Sequence, residues 1–184
     1  MKTRLLTMLS VLFATMAQAE IKTDAIYADH MVLQQGVPVP ITGTCTGKGK
    51  VTLTFNGQTV EAKVKKGEWR AVLAPMQVNA EGQDLTITQG KDSLVIKDVL
   101  VGEVWIASGQ SNMLWRLNQT GDKNSLQEAE TPLFRFYHSE PQVHTAAKAY
   151  DERLQNILKN KEMYTGSWSC NTPQDRQRMS AVGY

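Results

Sequence analysis

Hydrophobic and polar residues alternate along the first half of the chain in the pattern of half-buried β-strands. Val51, Leu53 and Phe55 alternate with polar residues, a period of two that predicts a strand. The Asn56-Gly57 pair that follows predicts a tight hairpin, because both turn positions need a positive φ. Further short apolar segments lie at residues 60–64, 69–73, 85–87 and 94–96. Strands at this spacing predict a small antiparallel β-sandwich over residues 20–98.

Two segments near the start of this region are expected at its edges. One is residues 31–33, and the other is residues 38–41, which contains Pro38 and Pro40. Proline has no N–H to donate to a neighbouring strand, so it is tolerated on an edge.

The pattern changes at residue 99. Residues 99–107 form a nearly continuous apolar run, as expected of a strand buried on both faces of a parallel sheet. The sequence next predicts a break at residues 108–112 and a helix at 113–117. A short polar helix at 125–130 and a second buried strand at 133–137 are predicted after them. This order predicts the opening of an α/β domain over residues 99–184, and an α+β protein as a whole.

The end of the chain is less regular. Tyr150, Leu154 and Ile157 fall at helical spacing, which predicts an amphipathic helix over residues 146–161 that packs on a sheet. The last residues, 180–184, are not followed by a polar tail, which suggests an element that is cut in its middle.

Residues 1–19 have the features of a secretory signal peptide. Lys2 and Arg4 precede a mostly apolar run, and Ala17-Gln18-Ala19 forms a small-x-small cleavage pattern. The run is short for a membrane span, and no later stretch is long enough. We predict cleavage after Ala19 and a periplasmic or secreted protein with no membrane attachment. A buried N-terminal helix is the alternative.

The charge balance and the number of cysteines exclude several kinds of binding partner and site. The chain has 20 Lys and Arg against 18 Asp and Glu, and loss of Lys2 and Arg4 makes the counts equal. A broad basic surface for nucleic acids or anionic membranes is therefore not expected. Cys45 and Cys170 are too few for a cysteine framework or a four-cysteine zinc site. Export permits a disulfide, but two unpaired cysteines are the favoured interpretation.

Ser111 is the main candidate for chemistry. It follows the predicted buried strand, in a turn containing Gly109, at the start of a predicted helix. That position exposes a hydroxyl at the carboxyl edge of a sheet, beside helix N–H groups that stabilise an oxyanion. The residues alone leave two interpretations open, an acyl-transfer nucleophile and the commoner helix N-cap.

Two segments resemble the sialate O-acetylesterase family. Residues 28–34, ADHMVLQ, resemble its opening motif, and residues 98–113, DVLVGEVWIASGQSNM, resemble its nucleophile block almost residue for residue. Trp115 stands where the family usually has tryptophan, whereas Leu114 replaces a family glutamate. Near the end, Trp168, Cys170, Pro173 and residues 180–184 resemble a later segment of the family, and residues 137–166 match most poorly.

This resemblance implies a fold and an activity. The family belongs to the SGNH hydrolases, whose catalytic domain resembles a flavodoxin-like α/β sheet. By resemblance, Ser111 is the nucleophile and its backbone N–H an oxyanion donor, and Gly109, Gln110 and Asn112 shape the turn and the site. The implied protein is an exported serine carbohydrate esterase that removes O-acetyl groups from sialic acid or related acetylated sugars, without a cofactor.

The sequence lacks the Asp-x-x-His motif from which the family takes its base. Its histidines are His30, His138 and His144, and none follows an aspartate by three residues. None has metal-ligand spacing with another His, Cys or carboxylate, so the spacing predicts no metal site. We therefore expect residues 99–184 to be an incomplete catalytic domain and the chain alone to be inactive or nearly so. Truncation or an interrupted gene is favoured over a partner chain that completes the fold.

Two non-catalytic functions remain open. The β region would be a carbohydrate-binding module if Trp69, Trp105 and Trp115 stacked on sugars, although Trp69 and Trp105 fall in strand patterns and are expected in the core. The other alternative is a pseudo-esterase that serves as an interaction subunit.

Overall fold

The computed structural model describes residues 20–141, 152–159 and 164–184. Residues 20–102 form two β-sheets that share one hydrophobic core. The first sheet has the order β1-β3-β6, with β1 Ile21–Thr23, β3 Val39–Cys45 and β6 Glu68–Leu73. The second has the order β2-β8-β7-β4-β5, with β2 Val32–Gln34, β8 Asp92–Gly102, β7 Asn79–Gln89, β4 Lys50–Phe55 and β5 Gln58–Lys63.

The core contains the residues that alternation along the strands predicts. Val51, Leu53 and Trp69 are buried in it. The Asn56-Gly57 turn has φ angles of 47° and 72°, which confirms the hairpin. Every strand pairing in the two sheets is antiparallel except that of β2 with β8, so the predicted antiparallel sandwich is a mixed one.

Of the two segments predicted to be edge strands, one is an edge strand and the other is not. β2 lies at an edge of its sheet, as predicted, whereas β3 is the central strand of the other sheet. Pro40 fits there because β1 pairs only with Gly43–Cys45, beyond the level of the proline. On its other side Pro40 faces Val72 of β6.

The predicted buried strand at residues 99–107 is wrong in its second half. Val99, Leu100 and Val101 are buried as the end of β8. Trp105 and Ile106, by contrast, have no regular structure and are 88% and 91% exposed. An apolar run indicates that its side chains favour burial, but it does not show which part of the protein would cover them. In the described part of the chain, nothing packs over Trp105 and Ile106.

After β8 the structure consists of short elements. They are 3₁₀-helices at Ser111–Leu114 and Leu117–Gln119, α1 Lys123–Gln127, β9 Phe136–Pro141, α2 Glu152–Lys159, β10 Tyr164–Ser169 and α3 Pro173–Arg176. The predicted helix at residues 113–117 is wrong, because Trp115 has an extended backbone between the two 3₁₀-helices. β9 overlaps the end of the predicted strand at residues 133–137 and pairs with β10 in antiparallel fashion.

The SGNH-like parallel sheet is not seen among the described residues after Gly102, whose paired strands there are β9 and β10. α1 overlaps the predicted polar helix, and α2 lies within the predicted amphipathic helix, with Leu154 and Ile157 half-buried. The predicted signal peptide, Tyr150 and His144 lie outside the described residues. In the described ranges, no helix has the length and apolar character needed to cross a membrane.

Candidate active site

Ser111 begins the first 3₁₀-helix, and its side chain is exposed. The N-cap position belongs to Gln110, whose backbone is extended (φ −109°, ψ −163°) and whose carbonyl accepts a hydrogen bond from the Met113 N–H at 2.9 Å. The interpretation of Ser111 as the N-cap is therefore wrong. Its hydroxyl is not engaged in capping the helix.

The neighbours of Ser111 form a tight turn. A Cβ atom on Gly109 would lie 3.1 Å from Cγ of Met113, so a larger residue would press against the turn. The carbonyl of Asn112 accepts a hydrogen bond from the Trp115 N–H at 3.1 Å, which closes the 3₁₀-helix. These are backbone and packing contacts, and the roles of Gly109, Gln110 and Asn112 toward a substrate remain predictions.

The C-terminal segment supports this turn. The Ala181 N–H donates to the carbonyl of Trp115 at 2.8 Å, and the Leu117 N–H donates to the carbonyl of Met179 at 2.9 Å. Leu117 and Met179 are both buried. Residues 115–117 are therefore held by a segment more than 60 positions later in the chain.

Arg176 anchors that segment from inside. Its side chain is fully buried, and its guanidinium donates to the carbonyls of Ser125, Glu128 and Ala129 at 2.8, 3.0 and 3.1 Å. It also donates to the carbonyl and side-chain oxygen of Asn171 at 3.1 and 3.0 Å. Oriented carbonyl groups thus compensate for the burial of the charge.

Neither described histidine forms a hydrogen bond with Ser111. Nδ1 of His30 lies 2.7 Å from Oδ2 of Asp98, and Nε2 of His138 lies 3.5 Å from Oε1 of Glu140. Burial of His138 outweighs the effect of Glu140 and lowers the pKa of His138. Neither described histidine is therefore placed as a general base for Ser111.

The first motif segment positions the chain that leads to Ser111. β2 pairs in parallel with the end of β8, with Val32 opposite Leu100. The side-chain oxygen of Gln34 accepts a hydrogen bond from the Val104 N–H at 2.8 Å, and its amide donates to Glu103 at 3.2 Å. The two segments that resemble the esterase family are thus neighbours in space.

No protein-family model and no curated protein matches the chain. Comparison with solved structures gives a match. The structure is similar to that of a carbohydrate acetylesterase. That protein is XAC1771 from Xanthomonas citri, with a TM-score of 0.68 and 26% sequence identity over 90% of this chain. This chain covers 35% of XAC1771, about a third of its length.

Two other solved structures are much less similar. The Arg-specific cysteine proteinase gingipain R matches with a TM-score of 0.30 and 18% identity, covering 46% of this chain and 18% of the proteinase. Chimeric titin Z1Z2 matches with a TM-score of 0.29 and 13% identity, covering 46% of this chain and 97% of the titin chain. Neither likeness carries a functional argument.

Sequence spacing missed a second cluster, at the junction between the sandwich and the C-terminal segment. Arg135, whose side chain is 5% exposed, donates to the carbonyl of His30 at 3.1 Å and to Oδ1 of Asp98 at 3.0 Å. Burial would raise the pKa of Asp98, but hydrogen bonds from His30 and Arg135 outweigh it and lower that pKa. Cys170 lies beside the same carboxylate. His30, Asp98, Arg135 and Cys170 lie so far apart in the sequence that their spacing does not predict the cluster.

Proposed function

We propose that this chain is the N-terminal part of an exported serine carbohydrate esterase. Its substrate would be sialic acid or a related sugar carrying O-acetyl groups. Esterase activity is supported by the similarity to XAC1771 together with the exposed Ser111 in its turn. The choice of sialic acid rests on the sequence resemblance at residues 28–34 and 98–113, and export rests on the pattern of residues 1–19.

In the proposed reaction, Oγ of Ser111 attacks the carbonyl carbon of the acetyl group and gives up its proton to a base. The tetrahedral intermediate collapses, the sugar oxygen leaves with a proton, and water then releases acetate from the acyl-enzyme. The Ser111 N–H would stabilise the oxyanion. Among the described residues, no hydrogen bond occupies the N–H of Ser111 or Asn112.

We propose that this chain lacks the histidine that would act as the general base for Ser111. Neither described histidine contacts Ser111, and the family's Asp-x-x-His motif does not occur in the sequence. We therefore propose a truncated form with little or no turnover. The DNA beyond the Tyr184 codon tests truncation, since an open frame encoding Asp-x-x-His supports it and an immediate stop codon contradicts it.

The role of Ser111 is tested in the complete gene product. We expect Ser111→Ala to lower kcat for hydrolysis of p-nitrophenyl acetate and of O-acetylated sialic acid by about 10³-fold or more. Ser108→Ala, at an exposed serine in the same turn, is the matched control and should keep near-normal activity. Full activity of the Ser111→Ala variant would overturn the proposal.

Non-catalytic carbohydrate binding is the second candidate function. It is favoured by the exposure of Trp105 and Trp115, which are 88% and 57% exposed, contrary to the expectation that Trp105 lies in the core. Exposed aromatic faces offer large apolar areas for contact. Glycan binding that is lost in Trp105→Ala, without hydrolysis by any longer form, would favour this function or that of a pseudo-esterase.

A further inference from the structure

Three side chains that bind transition metals converge away from Ser111. Each of His30, Asp98 and Cys170 offers one ligand atom, and these three atoms lie within 4.8 Å of one another. Imidazole nitrogen, carboxylate oxygen and thiolate sulfur are the ligands zinc takes, at about 2.0–2.3 Å from the ion. Tetrahedral geometry at those bond lengths separates ligand atoms by about 3.3–3.8 Å, so small side-chain shifts suffice.

The backbone is unusual at the same place. His30 and Asp98 have φ angles of 68° and 55°, and Asn171, next to Cys170, has 56°. Left-handed backbone in residues other than glycine clusters at functional sites and ligand clamps. At Asp98 the cause is visible, because the register of β7 with β8 shifts between Gln83 and Leu85 and leaves one extra residue in β8.

Charge at the cluster is compatible with a divalent cation. The Cys170 thiolate and the Asp98 carboxylate would together balance two positive charges. Arg135 forms an ion pair with Asp98 at 3.0 Å, so the cluster with a divalent ion would carry one net positive charge. The Arg135 guanidinium also donates to the carbonyls of His30, Asp98 and Pro132 at 3.1, 2.5 and 3.1 Å. These carbonyl contacts would hold Arg135 in place, while a metal ion would replace the direct contact between His30 and Asp98.

We propose that His30, Asp98 and Cys170 bind a divalent transition metal ion of the zinc type. His30 is exposed and the other two side chains are half-buried, which gives the ion an entry path and leaves the fourth position to water. His30 and Asp98 belong to the β-sandwich, whereas Cys170 follows β10. The bound ion would tie the two parts of the chain together, and this role does not depend on esterase activity.

Binding would release the thiol proton. Zinc binds cysteine as the thiolate, so the Cys170 thiol gives up its proton when the ion binds.

Titration of the metal-free 184-residue chain with Co²⁺ alone tests the proposal. We expect one equivalent to produce a near-ultraviolet thiolate-to-cobalt charge-transfer band, which Zn²⁺ then removes by competition. Cys170→Ser should abolish the band. His30→Ala should weaken binding by at least the roughly 10–100-fold that loss of an outer-shell partner costs, because His30 would be a direct ligand. Cys45→Ser is the matched control and should leave the band unchanged, because Cys45 is buried in the sandwich core.

Thermal unfolding gives an independent readout. Zn²⁺ in excess should raise the Tm of the wild type and of Cys45→Ser, and leave that of Cys170→Ser unchanged, because only folded protein with an intact site gains from binding. Three results would each overturn the proposal. They are a charge-transfer band that survives Cys170→Ser, a band that Cys45→Ser removes, and the absence of any saturable Co²⁺ binding by the wild type.

Discussion

At the scale of single residues, Arg176 shows how a buried cation is stabilised by oxygen acceptors, with no carboxylate partner among the described residues. Its five hydrogen bonds reach residues 125–129 on one side and Asn171 on the other. Loss of the guanidinium would leave the two buried oxygens of Asn171 and three partly buried carbonyls without this donor. An unsatisfied buried acceptor costs about 1–3 kcal/mol, and a partly buried one costs less. This one side chain therefore joins α1 to the segment that begins α3.

We expect Arg176→Ala to lower the free energy of unfolding of the C-terminal part by about 3 kcal/mol or more. Hydrogen exchange at the amides of residues 115–119 and 171–179, measured as a function of urea, would give the change for this part of the chain. Arg178→Ala is the matched control, because Arg178 is exposed two positions away and should change stability by no more than about 0.5 kcal/mol. Equal effects of the two substitutions would contradict this account of Arg176.

Asp98 makes stability depend on pH. His30 and Arg135 hold its pKa in the folded protein below the ordinary value. The stabilising contribution is therefore present above the unfolded-state pKa of about 3.9 and is lost as the pH falls through the lower folded-state value. In metal-free protein, the urea midpoint of Asp98→Asn should fall less steeply below about pH 4 than that of the wild type. A slope in Asp98→Asn equal to that of the wild type would contradict this role of Asp98.

At the scale of elements, close strand approach at Gly43 defines the three-stranded sheet. A Cβ atom there would lie 2.0 Å from the Lys22 carbonyl oxygen of β1 and 2.6 Å from Cζ2 of Trp69 in β6. Gly43 faces Trp69 across the β3–β6 pairing, and the indole packs over the space that a side chain would fill. Glycine is thus required at position 43, because both β1 and Trp69 of β6 lie too close for a side chain there.

Gly43→Ala should therefore separate β1 from β3 and disturb the packing of Trp69. We expect a loss of about 2 kcal/mol or more, at the upper end of ordinary overpacking. Gly121→Ala is a suitable control, because a Cβ atom at Gly121 meets nothing within 4 Å and its φ is not left-handed. Urea unfolding with hydrogen exchange at β1 would measure both variants, and an unchanged stability of Gly43→Ala would contradict the tight packing.

Elements set by local sequence signals were predictable, whereas those set by tertiary contacts were not. β4, its hairpin turn and β6 were predictable because alternation and Asn56-Gly57 are local signals. The placement of β3 in the middle of its sheet was not, since it depends on β1 pairing with only part of the strand. Residues 104–106 show the same limit, because their apolar character is local whereas their exposure depends on what packs over them.

The candidate functional residues also fall into two groups, those predictable from one segment and those brought together by the fold. Ser111 was found from a contiguous segment, and the structure places it at the start of a helical turn, one position later than a cap. His30, Asp98, Arg135 and Cys170 come from four distant segments, and the fold alone brings them together. Local patterns can reveal a nucleophile, whereas clusters assembled by tertiary contacts leave no periodic trace in the sequence.

At the scale of the whole molecule, stability is distributed unequally. Every residue of the main hydrophobic core lies between Met31 and Val101, and Trp168 packs against it only in part. Beyond Gly102, Leu117 and Met179 are the buried apolar residues in the described ranges. The contacts that join the two parts include those of Arg135 and a hydrogen bond of 2.7 Å from Nε1 of Trp168 to the Ile26 carbonyl.

This distribution implies that the sandwich folds without the rest of the chain. A fragment of residues 20–104 keeps the whole main core and contains Trp69 as its single tryptophan. We expect it to unfold in one cooperative urea transition when followed by Trp69 fluorescence, because burial of apolar area is the main stabilising term. In the full chain, amides of β4 and β7 should exchange far more slowly than those of residues 111–119, which open locally. A fragment without a cooperative transition, or equal protection of the two regions, would show that the serine turn shares the stability of the sandwich.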